Sequence, residues 1–213
     1  TPKPSSAASD VYKRQTMFSQ IKFVTGNSNK VRETVAILGV PLEGIKVDGL
    51  IEIQTLDIEE LVHHKCQQAY DSLKCSVLVE DSGLLFNAWD GLPGSLIKWF
   101  ECTVGCEGML KMLHTFEDRS AIAVSCFAIF DGKDIKIARG EVKGSIATEI
   151  RGSNGFGWDV FFIPEGYEKT YAEMQSEEKN SMSHRKNALE KLKILCLLYT
   201  SPSPRDLSTS RMP

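Results

Sequence analysis

The sequence lacks the features that mark membrane proteins and proteins that bind nucleic acid polymers. No apolar run approaches the roughly 18 residues that a membrane-spanning helix needs. Basic residues are not in excess: 25 Lys and Arg stand against 28 Asp and Glu, which gives a formal net charge of −3. A nucleic-acid-binding domain usually carries a basic patch and a high isoelectric point. We therefore expect neither a membrane nor a nucleic acid polymer as a partner.

Cysteine is present six times, but without the spacing of a disulfide framework. Cys102 and Cys106 are one helical turn apart, and no second ligand pair follows them, so we do not expect zinc. Reduced thiols predict an intracellular protein. Hydrophobic residues make up 42% and charged residues 25%, an ordinary globular composition. The length suits one domain, or at most two small ones.

The two ends of the chain, residues 1–16 and 196–213, have no apolar period and are rich in Ser and Pro. Asp10–Gln15 can be encoded so that the reverse complement, read one base along, encodes Cys196–Ser201. Both ends therefore resemble translated sequencing-adaptor DNA, and the alternative is two natural disordered tails. We expect one domain over residues 17–195, for which removal of the tails leaves a net charge of −6.

Between the ends, strand and helix patterns alternate and then give way to a hairpin across Asp131-Gly132. This order predicts an α/β fold with a central mixed sheet. The predicted strands are Ile21–Thr25, Ser76–Asp81, Ala121–Phe130, Ile135–Ile146 and Asp159–Ile163. The predicted helices are Ser28–Leu38, Ile58–Leu73, Ser95–Phe100, Gly108–Phe116 and Ser181–Leu195.

The loop Thr25–Lys30 joins a predicted strand to the start of a helix, which is a place where backbone N–H groups bind anions. Gly26 lets the backbone approach a phosphate, Asn27 can donate a hydrogen bond, and Lys30 adds a positive charge. The loop does not have the spacing of a P-loop. A simple capped helix start is the alternative interpretation.

Acidic side chains at a second predicted strand end, Glu80 and Asp81, suggest a magnesium site. In open α/β sheets the carboxyl ends of strands face the ligand crevice, and magnesium prefers one or two carboxylates together with substrate phosphates. Glu52, between two isoleucines, is a candidate partner for Asp81. For an isolated Glu, a solvated loop acid is the alternative.

Three further segments could contact a ligand. Lys98 lies among apolar and aromatic residues, where a lysine can also extend its ammonium to solvent. The loop Phe156–Asp159 can stack a planar base, or its aromatic rings can complete the core. Lys179, His184 and Arg185 surround a helix start, where positive charges are unfavourable unless they bind an anion. Ordinary surface charge is the alternative for that cluster.

Taken in order, these segments resemble the inosine triphosphate pyrophosphatase family in its eukaryotic form. The match covers residues 21–192. The segments that carry it are Phe23–Lys30, Leu78–Leu84, Gly91–Gly94, Ile97–Phe100, Phe156–Asp159, Tyr171–Met174, Glu178–Asn180 and Ser183–Arg185.

The resemblance implies an elongated α/β fold with a cleft between two lobes. It also implies hydrolysis of inosine, deoxyinosine and xanthosine triphosphates (ITP, dITP and XTP) to the monophosphate and pyrophosphate. The expected cofactor is Mg²⁺, with Mn²⁺ as an alternative to it, and the expected protein is a cytoplasmic homodimer. A non-catalytic nucleotide-binding module and a pyrophosphatase for modified pyrimidine triphosphates are the alternatives.

The resemblance also assigns roles by position. Glu52 and Asp81 would bind the metal, with Glu52 in the stretch that matches the family least well. Asp81 and Lys30 would be the catalytic pair. The residues expected on the triphosphate are Thr25, Gly26, Asn27, Ser28, Asn29, Lys30, Lys65, Asp81, Ser82 and Lys98. The residues expected around the base are Phe156, Gly157, Trp158, Asp159, Lys179, His184 and Arg185.

Overall fold

The computed structural model describes residue 18 and residues 20–200, with side chains to residue 196. Within that part the chain forms one mixed sheet of seven strands and six α-helices. The strands are β1 (Lys22–Val24), β2 (Gly44–Ile45), β3 (Val77–Phe86), β4 (Pro93–Gly94), β5 (Ser120–Phe130), β6 (Ile135–Ile146) and β7 (Phe162–Pro164). The helices are α1 (Ser28–Leu38), α2 (Ile58–Leu73), α3 (Ile97–Thr103), α4 (Gly105–Leu113), α5 (Ser176–Met182) and α6 (His184–Thr200). None of the described helices is both long and apolar enough to span a membrane.

The first two helices begin and end where the sequence predicts. The Asn27 side chain accepts hydrogen bonds from the N–H groups of Asn29 and Lys30, at 2.9 and 3.3 Å, and so caps α1. Gly39 ends that helix in the left-handed region at φ 69°, a conformation that costs glycine little. Asp57 caps α2 in the same way as Asn27 caps α1.

The sheet has the order β2-β1-β3-β5-β6-β7, and β4 pairs with the far end of β3. β1 runs parallel to β2 and β3, whereas the pairs β3–β5, β5–β6 and β6–β7 are antiparallel. The predicted α/β architecture with a mixed sheet and a β5–β6 hairpin is therefore confirmed. β3 is its central element, because it pairs with both the parallel and the antiparallel strands.

The prediction that β3 ends at Asp81 is wrong, because the strand continues to Phe86. The polar run Glu80–Gly83 interrupts the apolar pattern, but β5 supplies hydrogen-bonding partners along the whole length of β3. Only the parallel neighbour stops there, since β1 ends at Val24, opposite Val79. Asp81 thus lies just beyond the end of the parallel pair, and its position at a crevice does not require the strand to end.

Two other predicted elements, the strand Asp159–Ile163 and the helix Ser181–Leu195, differ in kind from the structure, and the predicted helices Ser95–Phe100 and Gly108–Phe116 are shifted to Ile97–Thr103 and Gly105–Leu113. The strand is only Phe162–Pro164. Residues 157–160 form a turn of 3-10 helix, because the Asp159 carboxylate accepts the N–H of Phe156 at 2.8 Å and closes the turn. The predicted last helix is two helices that meet at Ser183, whose backbone is extended (φ −69°, ψ 160°). α6 then continues past residue 195 to Thr200, whereas residues 1–16 and 201–213 of the predicted tails lie outside the described residues.

Packing on the two faces of the sheet follows the alternation of side chains along β3. Val77 and Val79 contact one cluster with α2, whereas Leu78 contacts a second cluster with α1 and α6. A third cluster, which includes Leu84 and Phe86, lies at the far ends of β3, β5 and β6 and packs against α3 and α4. The core therefore has two parts. The first two clusters form one part, the third cluster forms the other, and β3 runs from one part to the other.

Candidate functional site

A cleft of about 770 Å³ opens at the middle of β3, between the two parts of the core. Its size is within the range of small-molecule sites. The predicted site residues that line it are Thr25, Gly26, Asn27, Lys30, Glu52, Lys65, Asp81, Ser82, Lys98, Phe156, Gly157 and Trp158. Ser28, Asn29, Asp159, Lys179, His184 and Arg185 were predicted to contact substrate but are not in this lining.

The loop between β1 and α1 forms one wall of the cleft. The Thr25 hydroxyl accepts the N–H of Asn27 at 3.1 Å, and the Asn27 side chain caps α1. This double turn directs the helix N-terminus at the cleft, where its partial positive charge favours an anion. Ser28 and Asn29 form the first turn of α1 beyond the wall. Helix α1 therefore does have the capped start that was the alternative interpretation, and this start lies beside a cleft rather than on an open surface.

Glu52 and Asp81 approach each other through the ammonium group of Lys65. Lys65 Nζ lies 3.0 Å from Glu52 Oε1 and 3.6 Å from Asp81 Oδ2. Burial alone would raise the pKa of Glu52, but Lys65 and Lys98 lower it to about 2. The carboxylates of Glu52 and Asp81, which the sequence assigns to a metal, therefore share one positively charged neighbour, the Lys65 ammonium group.

Positive charge concentrates along the same part of the cleft. Lys98 Nζ is 3.2 Å from Glu52 Oε2, and Lys30 Nζ is 2.8 Å from Glu80 Oε2 and 3.6 Å from Asp81 Oδ1. The Lys30 and Lys65 side chains are each only 13% exposed. An otherwise acidic chain thus presents several ammonium groups to one cavity, which suits a polyanionic ligand.

Behind the cleft, a buried series of ion pairs continues from Lys30. Glu80 Oε1 accepts from Arg185 Nη2 at 3.0 Å, and Arg185 Nη1 also pairs with Glu33. Burial would raise the pKa of Glu33, but Arg185 and Lys179 outweigh it and hold that pKa below its usual range. The same holds for Glu80, where Arg185 and Lys30 oppose burial. These carboxylates are therefore ionised inside the protein.

The series ends at the loop that was predicted to hold the base. Lys179 Nζ lies 2.8 Å from Glu33 and 2.6 Å from Asp159, and it lies 5.1 Å from the centre of the Phe156 ring. The Arg185 guanidinium carbon is 5.7 Å from the same ring. Lys179 and Arg185 thus lie directly behind Phe156, which separates them from the cleft.

His184 is buried and stacks on Tyr171, with ring centres 5.8 Å apart. Burial, and then the charge of Arg185, lowers the pKa of His184 well below its usual value. The histidine is therefore neutral inside the protein. The structure leaves its predicted contact with a base untested, like that of Asp159, Lys179 and Arg185.

Sequence reasoning missed two acids and did not predict the buried ion pairs of a third. Glu33 was not singled out, Glu80 was considered only as a strand-end acid, and Glu101 of α3 was not considered although it lines the cleft. Glu33 lies on α1, 152 residues from its partner Arg185, so no local pattern could reveal the pair. The one signal in the sequence for a role of Glu33 was its charge at a buried position of helix α1.

Comparison with known proteins assigns the chain to a family. The model of the Ham1 family matches residues 21–195. The chain belongs to the Ham1 family.

Named Ham1 relatives are similar over most of their length. The chain is 45% identical over 188 residues to an inosine triphosphate pyrophosphatase of Scheffersomyces stipitis, covering 82% of this chain and 96% of the relative. It is 46% identical over 179 residues to the enzyme of that name from Yarrowia lipolytica, covering 82% and 94%.

Solved structures agree with this fold. The Ham1 protein of Staphylococcus aureus superimposes with a TM-score of 0.72 at 27% identity, covering 84% of this chain and 100% of that one. A nucleoside-triphosphatase, dITP/XTP pyrophosphatase, of Mycobacterium abscessus gives a TM-score of 0.63 at 28% identity, covering 81% and 98%.

Proposed function

We propose that this Ham1 protein hydrolyses the non-canonical purine nucleoside triphosphates ITP, dITP and XTP to the monophosphate and pyrophosphate. The observation that carries the proposal is the cleft itself, in which a helix N-terminus, Lys30, Lys65 and Lys98 surround the carboxylates Glu52 and Asp81. The names of the yeast relatives support the choice of substrate. The reaction removes deaminated purines from the nucleotide pool.

A divalent metal fits the residues that are present. Glu52 and Asp81 already share one cation, the Lys65 ammonium, and two carboxylates with substrate phosphates are the donors that Mg²⁺ prefers. We propose that these two residues hold Mg²⁺ or Mn²⁺. When bound, the metal would supply charge neutralisation to the triphosphate.

The side chains of the chain provide the other parts of the reaction. Lys30 and the N–H groups at the start of α1 stabilise the negative charge that develops on the leaving pyrophosphate. Lys98 and Lys65 hold the triphosphate in line for attack by water at the α-phosphorus. Asp81 orients that water, since its carboxylate oxygens are hydrogen-bond acceptors beside Lys30 and Lys65 in the cleft.

Base selection follows from the 6-position of the purine. Hypoxanthine and xanthine carry a keto acceptor there, whereas adenine carries an amino donor. Arg185 Nε is buried and has no hydrogen-bond partner among the described residues, and its guanidinium lies beside the Phe156 ring. A shift of Phe156 onto the base would let this donor reach a keto oxygen. Each donor-to-donor mismatch with adenine would cost about 1–3 kcal/mol, so two would give roughly a hundredfold discrimination.

The remaining parts of the proposal concern the whole protein. We propose that residues 17–195 form the catalytic domain, that the protein acts as a homodimer and that it works in the cytoplasm. Activity of a protein restricted to residues 17–195 would test the first statement. Size measurement in solution would test the second.

Hydrolysis in ¹⁸O-labelled water tests the proposed reaction. ITP with Mg²⁺ should yield inosine monophosphate that carries the label and unlabelled pyrophosphate, because water attacks the α-phosphorus. Label in pyrophosphate, or orthophosphate as the first product, would contradict the mechanism. Binding of ITP without cleavage would indicate a nucleotide-binding module, and faster cleavage of modified pyrimidine triphosphates would indicate the related pyrophosphatase.

A further inference from the structure

Glu101 is an acidic side chain in the cleft that the proposed mechanism does not use. It lies on α3, one helical turn after Lys98, and so on the same side of that helix. Across the cleft it faces the loop residues Gly157 and Trp158, which line the cavity with it. Glu101 therefore lies between the lysine proposed for the triphosphate and the loop proposed for the base.

The contact between Glu101 and Gly157 is close. A Cβ atom at Gly157 would lie 2.5 Å from Glu101 Oε1, so a larger residue there would require the carboxylate to move. Gly157 also has a positive φ of 60°, which glycine adopts without strain. The loop backbone and the acid are thus fitted to each other, and the carboxylate position is restricted on that side.

The carboxylate keeps acceptor capacity for a ligand. The backbone N–H of Trp158 donates toward it and lowers its pKa, although Glu101 Oε1 has no hydrogen bond of ordinary geometry among residues 18 and 20–200. A carboxylate has about four acceptor positions, so this one donor leaves others for a hydroxyl of a bound ligand.

Charges from both ends of the cleft act on Glu101. Burial raises its pKa and the Trp158 backbone N–H lowers it, and beyond these the charge of Asp159 raises the pKa and that of Lys30 lowers it. Lys30 belongs to the phosphate end and Asp159 to the base end, so the acid lies within electrostatic reach of both. The part of a nucleotide that lies between phosphate and base is the sugar.

We propose that Glu101 accepts a hydrogen bond from a ribose hydroxyl and so determines how the enzyme discriminates among sugars. This inference rests on the proposed function, because it assigns one more part of the same substrate. Carboxylates are a common partner of ribose hydroxyls in nucleotide sites. A contact with the base is the competing assignment, and it predicts equal effects on all sugars.

The test compares ITP, dITP and 2′,3′-dideoxyinosine triphosphate for the wild type and Glu101→Leu, with kcat/KM as the readout. The ratio of wild type to variant should fall by about tenfold or more when the contacted hydroxyl is removed from the substrate, as expected for a hydrogen bond to a charged group. A fall between ITP and dITP assigns the 2′-hydroxyl. A fall between dITP and the dideoxy substrate assigns the 3′-hydroxyl.

Two further variants keep the test independent of folding. Glu101→Gln retains an acceptor of the same size and should recover part of the sugar preference. Glu107→Leu, on an exposed position of α4, should behave like the wild type. A ratio that is the same for all three substrates would overturn the proposal, whether activity is lost or retained. Failure of the wild type to cleave any inosine substrate would instead refute the proposed function.

Discussion

Arg185 Nη2 lies 3.0 Å from Glu80 Oε1, and both side chains are almost completely buried. Glu80 also pairs with Lys30 at the wall of the cleft, while Arg185 lies behind Phe156 in the proposed base loop. One carboxylate therefore links the proposed phosphate end of the site to the proposed base end. The relationship leads directly to a prediction about stability.

Glu80→Gln should destabilise the protein strongly. The substitution leaves Arg185 and Lys30 without the charge of their common partner, and an uncompensated buried charge typically costs about 3 kcal/mol or more. Urea unfolding gives the free energy. Glu43→Gln is the matched control, because it breaks an exposed pair with Lys22, and exposed pairs contribute little to stability. Equal losses of unfolding free energy for both variants would show that the buried ion pair stabilises the protein no more than the exposed one.

Asp81→Asn should reduce kcat by about a hundredfold or more while the protein remains folded. The substitution removes one of the two carboxylates proposed for the metal and weakens the contacts with Lys30 and Lys65. Asp71→Asn provides the control, since Asp71 is exposed on α2 and its carboxylate forms an ion pair with Lys74. Near-normal turnover of the Asp81 variant at saturating Mg²⁺ would exclude a catalytic role for this side chain.

Acidification should weaken the folded state through His184. Its pKa in the folded protein lies well below the usual value, chiefly because of burial, whereas an unfolded histidine titrates near about 6.5. Below that pH the unfolded chain binds a proton that the folded chain does not. The free energy of unfolding should therefore fall as the pH decreases from about 6.5, by up to about 1.4 kcal/mol per pH unit from this residue.

The comparison with His184→Asn isolates this effect. The lowered pKa values of Glu33 and Glu80 add a further loss only where unfolded glutamates take up protons, below about pH 4.5. Between about pH 5 and 6.5 the variant should depend less steeply on pH than the wild type. Identical slopes in urea unfolding would mean that His184 is protonated in the folded protein as well.

Gly157→Ala should impair activity on ITP as well as stability. The added Cβ would lie 2.5 Å from Glu101 Oε1, and the positive φ is unfavourable for alanine. Gly39→Ala is the matched control, because Gly39 has a similar φ of 69° but no neighbour within 4 Å of the added atom. Both variants should lose about 1 kcal/mol of stability, and only the first should lose activity. Normal activity of Gly157→Ala would argue against a close fit between the loop and Glu101.

The local parts of the fold could be predicted from the sequence because their causes are local. Asn27 and Asp57 are N-caps next to apolar periods, and Gly39 is a C-cap, so the bounds of α1 and α2 agree with the structure. β3 was predicted to end at Asp81, because the polar run Glu80–Gly83 breaks the apolar pattern although the strand continues to Phe86. The environment of that run depends on β5, which comes about forty residues later.

The site could be predicted in part for the same reason. Short motifs identified the wall around Lys30 and Asp81, and these residues do meet in one cleft. Glu33 and Glu101 were missed, since their surroundings come from distant segments: Glu33 pairs with Lys179, 146 residues away, and Glu101 touches Gly157. Such contacts exist only once the chain has folded.

Pyrophosphate release from ITP and from adenosine triphosphate, measured side by side with the purified protein and Mg²⁺, tests the base selection on which the proposed function depends. We predict that kcat/KM for ITP exceeds that for adenosine triphosphate by roughly a hundredfold, because the 6-amino group meets donors instead of acceptors. Equal values for the two substrates would contradict it.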